Sequence, residues 1–323
     1  MFDVTAVGEL LIDFTPGGYT ESGDMLFARK PGGAPANVIA ANSRLGGKTA
    51  FIGKVGDDAF GQFLRKTLEE IQIDTSGLAI DPSIPTTLAF VELDERGDRS
   101  FSFYRKPGAD LMLQASDIKS NLVTECHILH FGSVSLTGEP SRSATMFAVE
   151  TAKKAGCIIS YDPNYRPLLW SNVEDAKEQM KTGLALADIV KVSEEEMTLL
   201  TGKFDLIEGS HELARYGASL VLVSLGAKGA FYRKGALYGL LPTYDVKTVD
   251  TNGAGDSFLG AVHYRLRKET LQGIQKLSEA DMNDIISFAN AAGSLATTKG
   301  GAIPAMPTLD EIEACRKTVP LLI

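Results

Sequence analysis

Cysteine is scarce in this sequence of 323 residues, which holds only Cys126, Cys157 and Cys315. The number is odd, the three positions lie far apart, and none has the spacing of metal ligands. This argues against both a disulfide framework and a zinc site. Sparse, unpaired cysteines are typical of proteins in a reducing compartment, so we expect a cytoplasmic protein.

The sequence also lacks an excess of positive charge and any long apolar run. Its 32 Lys and Arg are outnumbered by 41 Asp and Glu, for a net charge of -9. This balance argues against nucleic acid as a partner, because clustered Lys and Arg bind phosphate backbones. A small phosphate ligand stays compatible, since a local positive site can hold it. The start, "MFDVTAVGELLIDF", predicts a strand rather than a signal peptide, and no stretch reaches the length of a membrane span.

Short β-rich runs alternate with helical patterns along most of the chain. Examples are "TAFIGKV" before "DAFGQFLRKTLEEIQI", and "CIISYD" before "NVEDAKEQMKTGLALA". Nearly continuous apolar strands are typical of a sheet that helices cover on both faces. The alternation therefore predicts an α/β fold with three layers, α/β/α, around a mainly parallel sheet. Ligands of such sheets bind beyond the carboxyl ends of the strands, where we place Asp162, Ser193 and Gly226.

Two segments, 14–31 and 86–110, break this rhythm. The second, "TTLAFVELDERGDRSFSFYRKPGAD", predicts two strands joined by a polar turn that contains glycine. We interpret the two segments as a small β-sheet lid over the main sheet. The alternative is an antiparallel edge of that same sheet. No long linker, low-complexity tract or internal repeat divides the sequence, so we predict a single domain over residues 1–323 that carries this lid.

The stretch "VDTNGAGDSFLGA" (249–261) has no large side chain between Asn252 and Asp256. Apolar residues follow at helical spacing from Phe258, so residues 253–255 form the entrance of a helix. Backbone N–H groups at such an entrance lack helical partners, and the helix dipole is positive there. Glycine leaves room for a phosphate oxygen to reach them. From the residues alone, two interpretations stay open: the turn binds a phosphate, or Asp256 only caps the helix.

Two other glycine-rich motifs do not meet the requirements of a nucleotide site. "NSRLGGKT" (42–49) ends like a P-loop, but Asn42 stands where the first glycine is needed and no strand precedes it. "PGGAPAN" (31–37) lacks the third glycine of the dinucleotide-binding pattern.

Taken together, the motifs resemble the ribokinase-like (PfkB) carbohydrate kinase family, and within it most closely the fructokinases. The N-terminal family signature is similar to "RKPGGAPANVIAANSRLGGKTAFIGKVGDDAFG" (29–61), and the C-terminal signature is similar to residues 249–261. Between and after them, "FYRKPGAD", "SYDPNYR", "DIVKVSEEE", "LVLVSLGAKG" and "FANAAGSLATTKGGAIPAMPT" match in order and spacing. The resemblance covers essentially the whole chain and implies a ribokinase-like fold.

The resemblance implies transfer of the γ-phosphoryl group of ATP to a sugar hydroxyl, and for a fructokinase the product is fructose 6-phosphate. In that scheme Asp256 is the catalytic base. The backbone of Gly253, Ala254 and Gly255 forms the anion hole that holds the charge of the transferring phosphate. Arg166, in "DPNYR", would offset developing charge, whereas a surface ion pair is its alternative role.

The sugar-binding residues that the resemblance implies are Asp13, Gly32, Gly33, Asn37, Tyr104, Arg105 and Asp256. The residues alone favour a different interpretation for two of them. Asp13 would be a turn residue before Pro16, and Asn37 a polar residue in the first turns of a helix. Packing of the lid onto the body explains the phenylalanines that alternate in "SFSFYR".

ATP and Mg²⁺ are the implied co-substrate and cofactor. The nucleotide-binding residues would be Ser193, Glu196, Ser224, Gly226, Lys228, Gly229, Gly255 and Asn290. Ser193 departs from the N-x-x-E pattern of the family, so its contact with phosphate has a shorter reach. Glu196 would act on Mg²⁺ through water, because Mg²⁺ releases its water reluctantly. The alternative is that the triplet Glu194–Glu196 is only a solvated helix start. The family also implies a monovalent cation such as K⁺, near Asp250, Asn252, Lys299 and Gly301.

Several rival functions stay open. A 2-keto-3-deoxygluconate kinase shares the Tyr–Arg pair of the lid and the same base, although "FYRKPGAD" with "KGGAIPAMPT" favours fructose. Ribokinases typically have "GGKGAN" where this chain has "GGAPAN". A non-catalytic sugar sensor on a kinase scaffold represents another class, and an oxidoreductase lacks its dinucleotide pattern. We expect fructose and ATP as ligands and no nucleic acid or membrane partner. If the protein forms an oligomer, we expect a homodimer that forms through the lid.

Overall fold

The computed structural model describes residues 1–93 and 99–322. The strands in these ranges are β1 (Phe2–Val7), β2 (Leu11–Tyr19), β3 (Met25–Gly32), β4 (Thr49–Gly56), β5 (Asp74–Asp81), β6 (Leu88–Leu93), β7 (Arg99–Tyr104), β8 (Cys126–Gly132), β9 (Ile158–Asp162), β10 (Ile189–Ser193), β11 (Leu220–Ser224), β12 (Ala230–Lys234) and β13 (Leu237–Leu241). The α-helices are α1 (Ala34–Arg44), α2 (Ala59–Glu70), α3 (Ser120–Thr124), α4 (Ser141–Lys154), α5 (Val173–Leu186), α6 (Glu194–Thr201), α7 (Leu206–Ala214), α8 (Ala254–Leu266), α9 (Leu271–Lys276), α10 (Glu279–Ala296) and α11 (Leu309–Thr318).

The main sheet has nine strands in the described chain, in the order β13-β12-β11-β10-β9-β8-β1-β4-β5. All neighbours from β11 to β5 pair in parallel, while β12 and β13 are added antiparallel at one edge. The chain winds outward from β1 in both directions, towards β5 and towards β11. Such a reversal opens a crevice at the carboxyl ends of the strands. The predicted mainly parallel sheet is confirmed.

Helices cover both faces of this sheet. Along β11, Leu220 and Leu222 belong to one apolar core, whereas Val221 and Val223 belong to the other. Successive side chains of a strand point to opposite faces, so an apolar strand without alternation needs two cores. The first core also holds side chains of α1, α8 and α10, and the second those of α4, α5 and α7. The predicted three-layer α/β/α fold is confirmed.

A second, separate sheet of four strands has the order β3-β2-β6-β7. Its strands cover much of the two segments predicted as a lid, so the alternative of an antiparallel edge on the main sheet is wrong. The polar turn predicted between β6 and β7 lies at 94–98, outside the described residues. Leu10 and Ile12, at the base of this lid, are part of the first core of the body. That residues 1–323 form one domain stays a prediction.

Helix α2 shows how a helix entrance is closed by its own chain. Asp58 is the N-cap residue, and its Oδ1 accepts the N–H groups of Phe60 at 3.0 Å and Gly61 at 2.8 Å. Its Oδ2 accepts the N–H of Thr86 at 2.8 Å. Burial raises the pKa of Asp58, but these hydrogen bonds outweigh burial and hold the pKa below its usual value. The entrance of α2 is therefore satisfied by a side chain.

The last described residues pair with the segment that joins β13 to α8. Tyr244 forms an antiparallel bridge with Leu321, and the N–H of Leu322 donates to the carbonyl of Thr243 at 2.8 Å. The N–H of Asp245 donates to the carbonyl of Pro320 at 2.9 Å. This pairing fastens the end of the chain to the body.

The helices of the described residues include none that combines the length and the apolar character needed to cross a membrane. The three cysteines are buried free thiols.

Candidate active site

Two pockets meet at the carboxyl ends of the strands. A large cleft of about 340 Å³ is lined by Ser224, Gly226, Ala227, Gly229, Ala230, Thr243, Tyr244, Val246, Thr248, Thr251, Ala254, Gly255, Phe258, Asn290, Gly293, Ser294, Thr297 and Leu322. A small pocket under the lid is lined by Glu9, Leu11, Asp13, Gly33, Ala34, Asn37, Phe103, Val134, Asn164, Arg166, Leu169, Asn252 and Asp256. The turn at 252–256 contributes to both linings and so forms the wall between the two pockets.

The turn opens helix α8 without a capping side chain. Gly253 is the N-cap residue, with a φ of 77°, and no side chain hydrogen-bonds to the helix entrance. This φ favours glycine. A Cβ at position 253 would also lie 2.7 Å from the Cβ of Ala302, which is closer than packed carbons approach. No side chain therefore occupies the entrance of α8, where the Ala254 N–H makes one long hydrogen bond, of 3.4 Å, to the Thr251 carbonyl. The entrance is thus open to an outside acceptor.

Asp256 does not cap the helix on which it lies. Its Oδ2 accepts a hydrogen bond from Nδ2 of Asn37 at 2.8 Å, so it turns towards α1 and the small pocket. Burial raises the pKa of Asp256 to about 6. The Lys191 ammonium and the Asn37 hydrogen bond lower the pKa, while the Asp162 carboxylate raises it. At neutral pH the group is thus mostly ionised, and it is a stronger base than an exposed aspartate.

Asp13 lies in the small pocket on strand β2, as Asn37 does on helix α1. Burial raises the pKa of Asp13 to about 6, and the Arg166 guanidinium and a hydrogen bond from the Asn252 side chain lower it. The turn interpretation for Asp13 is wrong, because the residue is inside a strand. The pocket therefore presents three carboxyl groups of raised pKa: Asp13, Asp256 and Glu9, whose pKa burial raises to about 7.

The glycines at 32 and 33 allow close approach of backbone segments. A Cβ on Gly32 would lie 2.2 Å from Oδ2 of Asp13. Gly33 has a φ of 116°, and a Cβ there would lie 2.3 Å from the carbonyl oxygen of Glu9. Glu9 was missed in the sequence; its Oε1 accepts the N–H of Ala34 at 3.0 Å, and it lines the small pocket.

The residues predicted on or near the lid have different positions. Arg166 lines the small pocket. Tyr104 is 66% exposed, with its ring 5.4 Å from that of Phe90. Arg105 is turned inward: its Nε donates to Oδ2 of Asp110 at 2.7 Å, and its terminal nitrogens donate to Thr137 Oγ1 and the Val134 carbonyl.

The network around Arg105 engages all three of its nitrogens. Neither Tyr104 nor Arg105 is among the residues that line the small pocket. Their contact with a substrate stays a prediction, and the inward turn of Arg105 argues against it in this conformation.

A buried cluster of charges lies behind the turn. Nζ of Lys191, on β10, donates to Oδ2 of Asp162 at 2.8 Å. Burial lowers the pKa of Lys191, but the carboxylates of Asp162, Glu196 and Asp256 outweigh burial and raise it. Lys191 is not among the site residues predicted from the sequence. The signal was available, since a lysine in the apolar strand "DIVKV" needs a partner when it is buried.

Ser193 and Glu196 form a capping box at the start of α6. Oγ of Ser193 accepts the N–H of Glu196 at 3.1 Å, and Oε2 of Glu196 accepts the N–H of Ser193 at 2.7 Å. Oε1 of Glu196 accepts the N–H of Tyr165 at 2.7 Å. Burial raises the pKa of Glu196, and Asp162 adds to this effect. The solvated-helix interpretation of Glu196 is wrong, because its side chain is buried.

Five of the predicted nucleotide residues line the large cleft: Ser224, Gly226, Gly229, Gly255 and Asn290. Nδ2 of Asn290 donates to two backbone carbonyls, those of Leu241 and Pro242. Lys228 instead lies outside this lining, with its exposed Nζ 3.7 Å from a carboxylate oxygen of Glu194.

The loop predicted for a monovalent cation is held together by Asp250. One of its oxygens accepts the N–H of Asn252 and the other accepts the N–H of Gly301, each at 2.9 Å. The two segments that carry the predicted carbonyls are therefore adjacent. The Lys299 side chain is not directed at this loop, since its Nζ contacts Glu311 at 3.2 Å.

Comparison with known proteins agrees with this geometry. The family model of the pfkB family carbohydrate kinases matches residues 1–309. Fructokinase-1 of Zea mays is 45% identical over 315 residues, which cover 96% of each chain.

Two solved structures extend the likeness to three dimensions. A fructokinase of Xylella fastidiosa with bound ATP superimposes with a TM-score of 0.91 at 34% identity, over 98% of this chain and 99% of that one. A fructokinase double mutant of Vibrio cholerae O395, in a fructose, ADP and potassium ion bound form, has a TM-score of 0.86 at 39% identity, over 97% of both chains. The chain belongs to the pfkB family of carbohydrate kinases.

Proposed function

We propose that this protein is an ATP-dependent fructokinase. The observation that carries the proposal is the turn at 252–256, which divides the large cleft from the small pocket. A nucleotide in the cleft and a ketose in the pocket would meet at the bare entrance of α8, beside Asp256. The relatives with ATP, or with fructose and ADP, in their structures support this assignment.

The reaction would be an in-line transfer. The 6-hydroxyl of fructose lies near Asp256, which accepts its proton as the oxygen attacks the γ-phosphorus of ATP. The new O–P bond forms, the bond from the γ-phosphorus to the β–γ bridging oxygen breaks, and ADP leaves. The N–H groups of the turn at Gly253, Ala254 and Gly255 hold the equatorial oxygens of the moving phosphoryl group.

The base needs little strength for this chemistry. Phosphoryl transfer passes through a loose transition state, so positioning and charge stabilisation contribute most of the acceleration. The raised pKa of Asp256, about 6, leaves the group ionised at neutral pH. Arg166 would offset negative charge from the side of the small pocket.

The donor set fits Mg²⁺ that is held mainly by phosphate oxygens and water. The described residues contain no group of three or more His, Cys, Asp or Glu placed to bind a metal directly. Glu196 offers a buried carboxylate whose two oxygens each keep a free lone pair besides one N–H partner. When bound, Mg²⁺ would neutralise charge on the phosphates, and Glu196 would orient water around it.

The Asp250 loop fits a monovalent cation. Asp250 joins the segments around Asn252 and Gly301, so carbonyls of both would face one site. We propose that Lys299 contributes only its backbone. Activity measured in K⁺, Na⁺ and tetramethylammonium salts tests this point, and equal rates in all three would count against it.

The charge of the small pocket favours a neutral sugar over a sugar acid. Asp13 and Asp256, mostly ionised at neutral pH, line it together with one cation, Arg166. Glu9 also lines it and is partly ionised, because burial raises its pKa to about 7. A 2-keto-3-deoxygluconate carboxylate would add a further negative charge, and Arg105 is already engaged within the protein.

A coupled assay of ADP release with fructose, ribose, glucose and 2-keto-3-deoxygluconate tests the proposed function. We expect fructose to give the highest kcat/KM. A higher value with 2-keto-3-deoxygluconate would favour the sibling kinase. No ADP with any sugar would favour a non-catalytic sensor.

The lid is the place where we propose a homodimer. It leaves Tyr19, Met25, Leu26 and Tyr104 substantially exposed, and its outer strands β3 and β7 have unpaired edges in the single chain. Light scattering after size exclusion tests this, with a monomer mass as the contrary result.

The free thiols agree with the proposed cytoplasmic location, which imaging of a tagged protein would test.

A further inference from the structure

Lys191 occupies an unusual position for a lysine. It lies in the middle of the main sheet on β10, and only 6% of its surface is exposed. Its Nζ donates to Asp162 at 2.8 Å. The carboxylates of Glu196 and Asp256 also act on it, so one ammonium serves three acidic groups.

The ammonium also lies directly behind the turn at the entrance of α8. A Cβ at position 255 would be 2.9 Å from Nζ of Lys191, a distance that real Cβ atoms do not reach. Gly255 therefore leaves space on this side for the Lys191 head group. The same residue lines the large cleft. A positive charge is thus fixed at the back of the proposed anion hole.

We propose that Lys191 is a positioning residue for phosphoryl transfer: its ammonium supports the turn at Gly255 from behind and balances the Asp162 and Asp256 carboxylates around it. The inference rests on the proposed function. It assigns Lys191 no contact with fructose, since the residue is absent from the lining of the small pocket.

Several charged groups face this site from the elements packed around it. Asp162 lies in β9, Glu196 in α6 and Asp256 in α8, and all three carboxylates act on the Lys191 ammonium. His130, on β8, is also near, and burial together with the Lys191 charge lowers its pKa to about 3, so it stays neutral. Arg166 and Asp13 act on Asp256 from the small pocket.

The first test replaces Lys191 with the neutral, similarly long methionine. In Lys191→Met we expect kcat to fall about 100-fold, because a displaced turn misplaces the reacting atoms. KM for fructose should change less than threefold. The acid limb of kcat/KM should move up by about one pH unit, because the cation that favours ionised Asp256 is gone. A kcat within threefold of wild type, or an unmoved acid limb, would overturn the inference.

A double variant separates positioning from simple neutralisation of Asp162. Lys191→Met alone leaves a buried carboxylate unpaired and lowers the melting temperature. Lys191→Met with Asp162→Asn removes both charges, so we expect the melting temperature to recover while kcat stays at least tenfold low. Recovery of kcat to the wild-type value would show that Lys191 only neutralises Asp162, and would overturn the inference.

Lys54 provides a matched control. It is also a buried strand lysine, but the carboxylates near its Nζ are Asp117 at 3.0 Å and Asp81 at 3.8 Å, and neither of them lines the small pocket as Asp256 does. Lys54→Met should lower the melting temperature without moving the acid limb. Wild-type protein is assayed first: no ADP release with fructose would overturn the proposed function and this inference together, whereas an active wild type with an equally active Lys191→Met overturns the inference alone.

Discussion

Two helix entrances in this molecule, those of α2 and α8, each carry an aspartate, and they use it in opposite ways. Asp58 directs Oδ1 back onto the N–H groups of Phe60 and Gly61 and closes the entrance of α2. Asp256 turns away from the entrance of α8 to Asn37. The pKa of Asp58 is lowered, and that of Asp256 is raised to about 6.

The difference shows how the same residue type contributes either to stability or to function. A carboxylate that accepts several N–H groups is favoured in its ionised form, and folding gains from it. A buried carboxylate with one amide partner is held at a cost to folding. The helix that it leaves open can then bind an anion. The α2 entrance is complete by itself, whereas the α8 entrance needs a ligand to complete it.

The largest expected effect comes from Asp256→Asn. We expect kcat to fall by roughly 10²–10⁴-fold, because general-base assistance is lost, while fructose still binds. Steady-state ADP release measures kcat, and calorimetric titration with fructose measures binding. Asp58→Asn is the control, and its kcat should stay within twofold of wild type. Near-full turnover of Asp256→Asn would remove this residue from the mechanism.

A change of backbone at the open entrance ranks second. Gly253→Ala places a Cβ against Ala302 at a residue whose φ is 77°, so the turn must move and we expect kcat to fall by roughly 10–10²-fold. Gly202, the C-cap residue of α6, has a similar φ of 71°, but a Cβ added there would have no neighbouring atom within 4 Å. Gly202→Ala should lose only about 1 kcal/mol of stability and no activity. Equal kcat losses in the two variants would contradict a special role for the turn.

The pH dependence of activity ranks third. Asp256 acts in its ionised form, so kcat/KM should fall about tenfold for each pH unit below about pH 6. Asp13 has a similarly raised pKa and would steepen the fall. Initial rates between pH 5 and pH 8 measure the acid limb of kcat/KM. As a control for denaturation, each sample is returned to neutral pH and its activity is measured again. An acid limb near pH 4, the usual range of aspartate, would show that burial does not set the pKa of the base.

The smallest expected effect is on stability, and its sign differs between the two entrances. The raised pKa of Asp256 gives stability that is present below pH 3.8 and is lost as pH rises through about 6. At pH 8, Asp256→Asn should therefore be more stable than wild type, by at most on the order of 3 kcal/mol. Asp58→Ala should be about 1 kcal/mol less stable, because a helix cap is lost. Urea unfolding measures both, and destabilisation by both variants would break the contrast.

Much of the fold could be predicted from the sequence because its causes are local. Apolar strands followed by amphipathic helices specify a covered parallel sheet, and the β-rich segment 86–110 marks the interruption at the lid. The bare turn at 253–255 was also recognisable as a helix entrance. These features depend on residues that are neighbours in the chain.

The parts that could not be predicted depend on contacts between distant residues. Asn37 and Asp256 are hydrogen-bonded although 219 positions separate them. Arg105 looked like a substrate arginine, but Asp110 holds it inside the protein. That a lysine in an apolar strand needs a partner could be predicted for Lys191, but the identity of that partner, Asp162 of β9, appears only in the fold.

The pairing of Leu322 with Thr243 has a practical consequence for work with this protein. Leu322 also lines the large cleft. A purification handle appended shortly after Leu322 would therefore begin beside the large cleft, in which ATP is proposed to bind. Met1 is exposed and precedes β1 at the opposite, amino-terminal edge of the sheet. Fusions at the beginning of the chain are thus the safer choice for kinetic measurements.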